Sequence, residues 1–257
     1  MSEFLNIPLS EFDNENSMIT PTVMEDLLRD MTGIDTCVMT SFPNLEQHVL
    51  SRDLSPLYHF AAGGTYVTQY VFKDSLIVAN LPSGGPAAAA LMEELISLGV
   101  IRFIAITSAG LLAKHFDEKK LLVVTDAIRD EGTSYHYLPA GEQAYCSPLL
   151  REQFKQSLRG QGIAFEEGRV WTTDALYRET PSRVERRKNE GAVAVDTECA
   201  SLCAVAQFRG VEFAEAFYFS DFLLSDVWSG YSPDNDDMLA KSLQVLLETG
   251  LEVAGLL

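Results

Sequence analysis

Positive charge is scarce in this sequence of 257 residues, which has 19 Lys and Arg against 37 Asp and Glu and a formal net charge of -18. Over most of the molecule such a charge repels the phosphates of a nucleic acid and the head groups of an anionic membrane. We therefore expect no nucleic-acid polymer and no membrane among its partners. The remaining composition, 47% apolar and 22% charged, is that of an ordinary globular chain.

Long apolar runs are also missing, since the longest are interrupted well short of the roughly 18–20 residues that a bilayer span needs. The N-terminal residues have neither the positive nor the apolar region of a secretory signal. The four cysteines, Cys37, Cys146, Cys199 and Cys203, show neither disulfide-framework nor zinc-ligand spacing. These absences favour a reduced, cytoplasmic protein without a metal. Cys199 and Cys203 are expected to pack as small apolar groups, because no second Cys or His pair accompanies them.

Strand-like and helix-like patterns alternate along the chain from about residue 65. The predicted strands cover residues 66–72, 76–79, 103–107, 121–125, 169–173, 193–196 and 214–219. The predicted helices cover residues 86–98, 148–159, 183–189, 198–208 and 238–251. Since no repeat, low-complexity block or linker divides the chain, we predict a single α/β domain over residues 1–257.

Loops that leave strands are the places to look for chemistry, because ligands in α/β folds bind at the carboxyl ends of the strands. In the loop 83–86, Gly84 and Gly85 precede a helix, so backbone N–H groups can approach an anion there. In the loop 107–110, small residues leave open space beside the Ser108 hydroxyl. A plain turn without a ligand explains either loop equally well.

Carboxylates end two later strands. Asp196 and Glu198 follow the predicted strand 193–196 and open an apolar helix, and Asp221 follows the predicted strand 214–219. Two such carboxylates can face one pocket, with one holding sugar hydroxyls and the other acting as a proton donor. Capping of a helix start is the alternative for Asp196 and Glu198, and a loop role is the alternative for Asp221.

Taken in order, six stretches of the sequence resemble one family. They are residues 83–99, 107–110, 126–139, 168–174, 195–200 and 220–221. The family is that of the purine and uridine nucleoside phosphorylases, which also includes the methylthioadenosine and AMP nucleosidases. The resemblance extends over nearly the whole chain, from about residue 35 to residue 251.

The resemblance implies a single α/β domain with a twisted, mixed central β-sheet flanked by helices, assembled as a homo-oligomer from dimer to hexamer. It also implies cleavage of the N-glycosidic bond of a nucleoside by phosphate or by water. Carried over by position, Glu198 binds the ribose hydroxyls, Asp221 acts on a purine base and Ser108 contacts phosphate. Gly84 and Gly85 complete the expected phosphate site. The other expected substrate-binding residues are Ala109, Gly110, Tyr177, Asp196 and Thr197.

The sequence departs from the phosphorylase pattern at the phosphate site. Leu45, Ala62 and Ala105 stand where the phosphorylases have arginines, which are the preferred partners of a bound oxyanion. The phosphate site is therefore either rebuilt or lost. Arg129 and Arg178 are the candidate replacements, and a solvated surface charge is the alternative for each.

Three hypotheses follow. The leading one is a phosphorylase that acts on a purine-type nucleoside, with phosphate as co-substrate and no cofactor. Uridine is disfavoured, because Thr180 and Ser182 stand where uridine phosphorylases recognise uracil. The second hypothesis is a nucleosidase in which Glu46 activates water. The third, a binding protein without turnover, is disfavoured because Glu198 and Asp221 are both retained.

Overall fold

The computed structural model describes residues 12–21, 33–41, 54–62, 65–72, 76–224, 228–230 and 235–256, with only the backbone for 54–62, 65–70, 72 and 235–240. The described strands are β1 Thr36–Thr40, β2 Leu54–Ala62, β3 Thr65–Phe72, β4 Leu76–Asn80, β5 Arg102–Leu111, β6 Leu121–Asp130, β7 Ala144–Tyr145, β8 Phe165–Thr173, β9 Ala192–Asp196 and β10 Glu212–Phe222. The described α-helices are α1 Gly85–Ser97, α2 Pro148–Gly160, α3 Pro181–Asn189, α4 Cys199–Arg209 and α5 Asn235–Val253.

The described strands form one mixed sheet in the order β10-β6-β8-β9-β5-β1-β4-β3-β2, with β7 attached to β6. Strand β10 also pairs with β5, so β5, β9, β8, β6 and β10 close a ring. The remaining strands β1, β4, β3 and β2 extend from β5 as an open sheet. The predicted mixed sheet is confirmed, and its closed part is a feature that the sequence patterns do not reveal.

Helices cover both faces of the sheet, which explains why the strands are apolar on both sides. In β1, Cys37 and Met39 belong to the core that contains residues of α1 and α4. Val38, between them, belongs to the core that contains residues of α2 and α5. This alternation follows from the two-residue period of a strand. Among the helices that the structure describes, none combines the length and the apolar character needed to cross a bilayer.

Every strand and helix predicted from the sequence is present, with bounds that differ by a few residues. Strands β1, β2 and β7 were not predicted. All five residues of β1 are buried, so it lacks the alternation of a half-exposed strand. Strand β2 contains Pro56 beside an irregularity in its pairing with β3, and proline is a signal against strand. Strand β7 has only two residues.

Phe217 tests the core beneath β10, because its ring is fully buried. We expect Phe217→Ala to lower the free energy of unfolding by about 3–5 kcal/mol, through lost burial and the cavity that remains. Leu149→Ala is the control, since Leu149 lies on α2 and is 66% exposed, and its effect should stay within about 0.5 kcal/mol. Urea denaturation of both variants measures the difference. Equal effects would contradict the assigned core.

Candidate active site

A cavity of about 720 Å³ lies where the ends of β4, β5, β9 and β10 meet, and its size is typical of a small-molecule site. All residues predicted to contact ribose or base line this cavity. From the predicted phosphate site, Ser108 lines it, whereas Gly84 and Gly85 are outside the lining. The lining residues are Ser41, Leu81, Pro82, Ser83, Ser108, Ala109, Gly110, Leu176, Tyr177, Glu179, Val195, Asp196, Thr197, Glu198, Ser220, Asp221, Leu223 and Trp228.

Glu198 precedes the first residue of α4 and is tied to the loop before α1. The Gly84 N–H donates a hydrogen bond of 2.5 Å to Glu198 Oε1, and the Thr197 hydroxyl donates to the same oxygen. Burial raises the pKa of Glu198, and these two donors partly oppose the rise. In the part of the chain that the structure describes, no hydrogen bond falls on Oε2. That oxygen is therefore available to a ligand.

Asp196 is an almost fully buried residue of the cavity lining and is held by protein donors on both oxygens. The Thr172 hydroxyl donates to Oδ1 at 2.6 Å, and the N–H groups of Glu198 and Cys199 donate to Oδ2 at 2.9 and 2.6 Å. Burial, followed by the charge of Glu198, raises the pKa of Asp196 to about 7. These contacts favour a role in holding the start of α4. Its predicted contact with substrate stays a prediction.

Asp221 lies at an irregularity of β10, where the pairing with β5 shifts between Phe219 and Asp221. Such a bulge re-aims a side chain, and here it brings Asp221 to the cavity. The Ser220 hydroxyl donates to Asp221 Oδ1 at 2.9 Å, and the indole N–H of Trp228 donates to Oδ2 at 3.0 Å. A Cβ on Gly110 would lie 3.1 Å from Asp221 Oδ2, so glycine leaves the room that this side chain uses.

Glu179 is a second carboxyl group near Asp221 that the sequence analysis missed. It follows the short 3-10 helix Leu176–Arg178 and lines the same cavity. Burial, and then the charge of Asp221, raise the pKa of Glu179 to about 7. A glutamate in a polar loop has no sequence pattern that predicts burial. The only available signal was its position between Tyr177 and the helix that begins at Pro181.

The expected phosphate site is only partly assembled. The Gly84 N–H already donates to Glu198, and Gly85 packs so closely against Ser201 that a Cβ would clash with the Ser201 hydroxyl. The start of α1 has no side-chain cap, so its positive end faces the loop that carries Ser83. Ser83 and Ser108 bring two hydroxyl groups to the cavity lining.

Positive side chains do not line the described part of the cavity, which has no Arg, Lys or His. The proposal that Arg129 replaces a phosphate-binding arginine is wrong. Its guanidinium donates to the carbonyls of Leu138, Pro139 and Glu142, which fixes the loop after β6. Arg178 is exposed and outside the lining.

Of four further positions named from the sequence, only Ala105 can be placed in full. Ala105 is fully buried in β5 and cannot contact a ligand in the cavity. Leu45 and Glu46 lie outside the described residues, as does the side chain of Ala62. The predicted role of Glu46 in activating water therefore stays a prediction.

The rim of the cavity is apolar and open to solvent. Tyr177 is 94% exposed, Trp228 is 65% exposed and Leu176 is 53% exposed. Aromatic groups at the mouth of a polar cavity can stack on a planar ligand or be covered by another protein surface. Tyr177 thus lies at the mouth of the cavity, and its predicted contact with substrate stays a prediction.

Known proteins resemble this chain over the same elements. A family model described as the phosphorylase superfamily matches residues 36–249. Guanosine phosphorylase of Halorubrum lacusprofundi is 23% identical over 178 residues, which cover 69% of this chain and 73% of that protein. An uncharacterised protein of Acanthamoeba polyphaga mimivirus is 26% identical over 179 residues, covering 67% and 70%.

Similarity to uridine phosphorylases is more local. Uridine phosphorylase of Haemophilus influenzae is 27% identical over 108 residues, which cover 42% of this chain and 43% of that enzyme. The chain therefore matches less than half the length of this relative.

The raised pKa of Glu179 predicts a pH-dependent stability. Between its ordinary pKa of 4.5 and the native value of about 7, Glu179 binds more protons in the folded than in the unfolded state. The folded state therefore loses stability as the pH rises through this range. We expect Glu179→Gln to gain stability over the wild type from about pH 4.5 to pH 7, with a constant difference above pH 7.

Urea midpoints of both proteins at a series of pH values measure this difference in stability. Titrating groups that the two proteins share contribute equally to both, so their effects cancel in the difference. Glu185→Gln removes an exposed carboxylate from the adjacent helix α3 and controls for the loss of one surface charge. If the advantage of Glu179→Gln did not vary between pH 4.5 and 7, the carboxyl would not be desolvated as the structure indicates.

Proposed function

Because the chain belongs to the phosphorylase superfamily, we propose that it cleaves the N-glycosidic bond of a purine-type nucleoside with phosphate, releasing the free base and a pentose 1-phosphate. The match over residues 36–249 confirms the family resemblance of the sequence motifs. The observation that carries the proposal is that Glu198 and Asp221, from the ends of different strands, line one cavity.

Glu198 is the proposed ribose-binding group. Its Oε1 atom is held by Gly84 and Thr197, which fixes the carboxylate and directs the other oxygen to a ligand. Cleavage of a glycosidic bond builds positive charge on the sugar, and a carboxylate that accepts the sugar hydroxyls stabilises that charge. Because the Glu198 carboxylate is already held in place, it does not have to move as the transition state forms. Its contribution is therefore expected in the rate of bond cleavage.

Asp221 and Glu179 form the part of the cavity that we propose binds the base. A purine leaves more readily when its negative charge is neutralised by a proton or a hydrogen bond. Asp221 accepts hydrogen bonds on both oxygens, while the raised pKa of Glu179, about 7, keeps a proton available near neutral pH. The relatives include both uridine and guanosine phosphorylases, so their names do not favour a purine over a pyrimidine. The support for a purine comes instead from the carboxyl groups of Asp221 and Glu179.

Phosphate is the proposed nucleophile, bound by the hydroxyls of Ser83 and Ser108 near the start of α1, where the Gly84 N–H is already occupied by Glu198. One observation favours water as a second candidate. The described lining contains no cation but has four carboxyl groups, those of Glu179, Asp196, Glu198 and Asp221. Binding of a phosphate dianion should therefore be weak, in the millimolar range, whereas water needs only a base.

A homo-oligomer is the proposed assembly. The exposed side chains of Leu176, Tyr177 and Trp228 beside the cavity present an apolar surface that a second copy could cover. The proposed compartment is the cytoplasm, in keeping with the free thiols of the four buried cysteines.

The nucleophile is tested by measuring base release from a panel of nucleosides as the phosphate concentration rises. We expect release from a purine nucleoside to increase without saturation below about 1 mM phosphate, with one ribose 1-phosphate formed per base. Glu198→Gln, purified in the same way, controls for phosphorylases of the expression host. Release that is independent of phosphate and yields free ribose would instead identify a hydrolase.

The role of Asp221 is tested by comparing a purine nucleoside with a nitrophenyl riboside, whose leaving group needs no protonation. We expect Asp221→Asn to lower kcat/KM for the purine nucleoside by about 100-fold to 10,000-fold, the usual effect of a general acid, and to affect the nitrophenyl riboside much less. Asp117→Asn, an exposed position outside the cavity lining, is the matched control. Equal losses on both substrates would assign Asp221 a structural role.

A further inference from the structure

Cys146 meets Cys199 and Cys203, which lie one turn apart on α4, in the core of the molecule. The Sγ atom of Cys203 lies 3.8 Å from that of Cys146 and 4.0 Å from that of Cys199. All three sulfur atoms lie within 4.8 Å of one another, and all three residues are fully buried. Cys199 and Cys203 are buried as expected, and no second Cys or His pair joins them among the described residues, but Cys146 adds a third thiol from the segment before α2.

A buried carboxyl group lies next to this cluster, in contact with Cys199, without being one of its members. Glu215 lies in β10, is 0% exposed and accepts the Thr107 hydroxyl on Oε1 at 2.7 Å. Its Oε2 atom has no partner at hydrogen-bond geometry within the described residues, although the Cys199 thiol lies near the carboxyl group. A buried carboxyl oxygen without a partner is costly, and natural cores rarely contain one. Apolar packing of the thiols leaves this oxygen unexplained.

The spacing of the thiols suits a tetrahedral metal ion. Zinc bonds of about 2.3 Å to sulfur place two sulfur ligands about 3.8 Å apart. The two shorter sulfur separations in the cluster are close to that value, so binding requires only small side-chain movements. Thiolates are ligands that select soft or borderline ions over Mg²⁺ or Ca²⁺.

Positive charge lies near the cluster. Arg151 is close enough to Cys146 for an electrostatic interaction between the two side chains. Cys199 is the first residue of α4, at the positive end of the helix. Arg151 and the helix end thus offset part of the negative charge that the ligands bring into the core.

We propose that Cys146, Cys199 and Cys203 bind one Zn²⁺ ion, or another thiophilic ion of the same d¹⁰ class, and that the unpartnered Oε2 atom of Glu215 moves in as the fourth ligand. On binding, the three thiols and the carboxyl group release their protons to solvent. Four protein ligands leave no position open for a substrate, so the site is structural. The ion connects α4, which begins just after Glu198, to β10, which carries Asp221.

The test is the metal content of the full-length protein, measured by elemental analysis after purification and after unfolding in chelator. We expect close to one zinc per chain that resists dialysis of the folded protein, is lost on unfolding and returns on refolding with Zn²⁺. Refolding with Co²⁺ should give the charge-transfer absorption of thiolate ligands. These readouts do not depend on turnover, so the site and the proposed activity fail or succeed separately.

Two variants and one control locate the ion. Cys203→Ala should reduce the zinc content to near zero, and Glu215→Gln should hold zinc less tightly while it still accepts the Thr107 hydroxyl. Cys37→Ala is the matched control, because Cys37 is equally buried but lies in β1, outside the cluster. It should keep the full zinc content.

The wild type keeps the proposal falsifiable if Cys203→Ala does not fold. A wild-type protein that is metal-free when purified, and that binds neither Zn²⁺ nor Co²⁺ on refolding, would show that the thiols only pack as apolar groups. Zinc that is retained by both Cys203→Ala and Glu215→Gln would also overturn the proposal, since it would lie elsewhere.

Discussion

Strand β10 runs parallel to β5 along ten paired positions and also pairs with β6, and the position of the cavity depends on this arrangement. The register places Asp221 opposite Gly110 and Tyr218 opposite Ser108. The ends of β5 and β10, which are far apart in sequence, therefore lie side by side at the cavity. The Gly84 N–H then connects the loop before α1 to Glu198, across 114 residues of sequence. A site built on paired strand ends inherits their rigidity, which an exposed loop does not offer.

Carboxyl groups dominate the chemistry of this region, and burial determines their charge. Burial raises the pKa of Asp196 and of Glu179 to about 7, and it raises the pKa of Glu198 and Glu215 as well. Near neutral pH, protons held by such groups reduce the negative charge around the cavity. An anionic co-substrate is then repelled less than a count of four ionised carboxylates would suggest. If phosphate is the co-substrate, as proposed, its binding is linked to the protonation of these groups.

Much of the fold and most of the cavity lining follow from local sequence patterns. The strand that ends near Asp196 and the strand that ends near Asp221 are recognisable because their apolar runs are long and are followed by polar residues. Glu179 and Cys146 could not be assigned in this way. Glu179 is desolvated by residues distant in sequence, and Cys146 meets Cys203 only after α2 and α4 pack on the sheet. Tertiary contacts of this kind leave no periodic signal in the chain.

Helix α4 is where the two proposed sites of the molecule meet. Its first turn is held by Asp196, which in turn accepts the Thr172 hydroxyl, so the position of Glu198 depends on buried hydrogen bonds rather than on solvent-exposed contacts. One turn further, Cys203 lies against Cys146, on the side of the helix that faces the core. A shift of α4 would therefore disturb Glu198 and the thiol cluster together. The packing of this almost wholly buried helix determines where the Glu198 carboxylate meets the cavity.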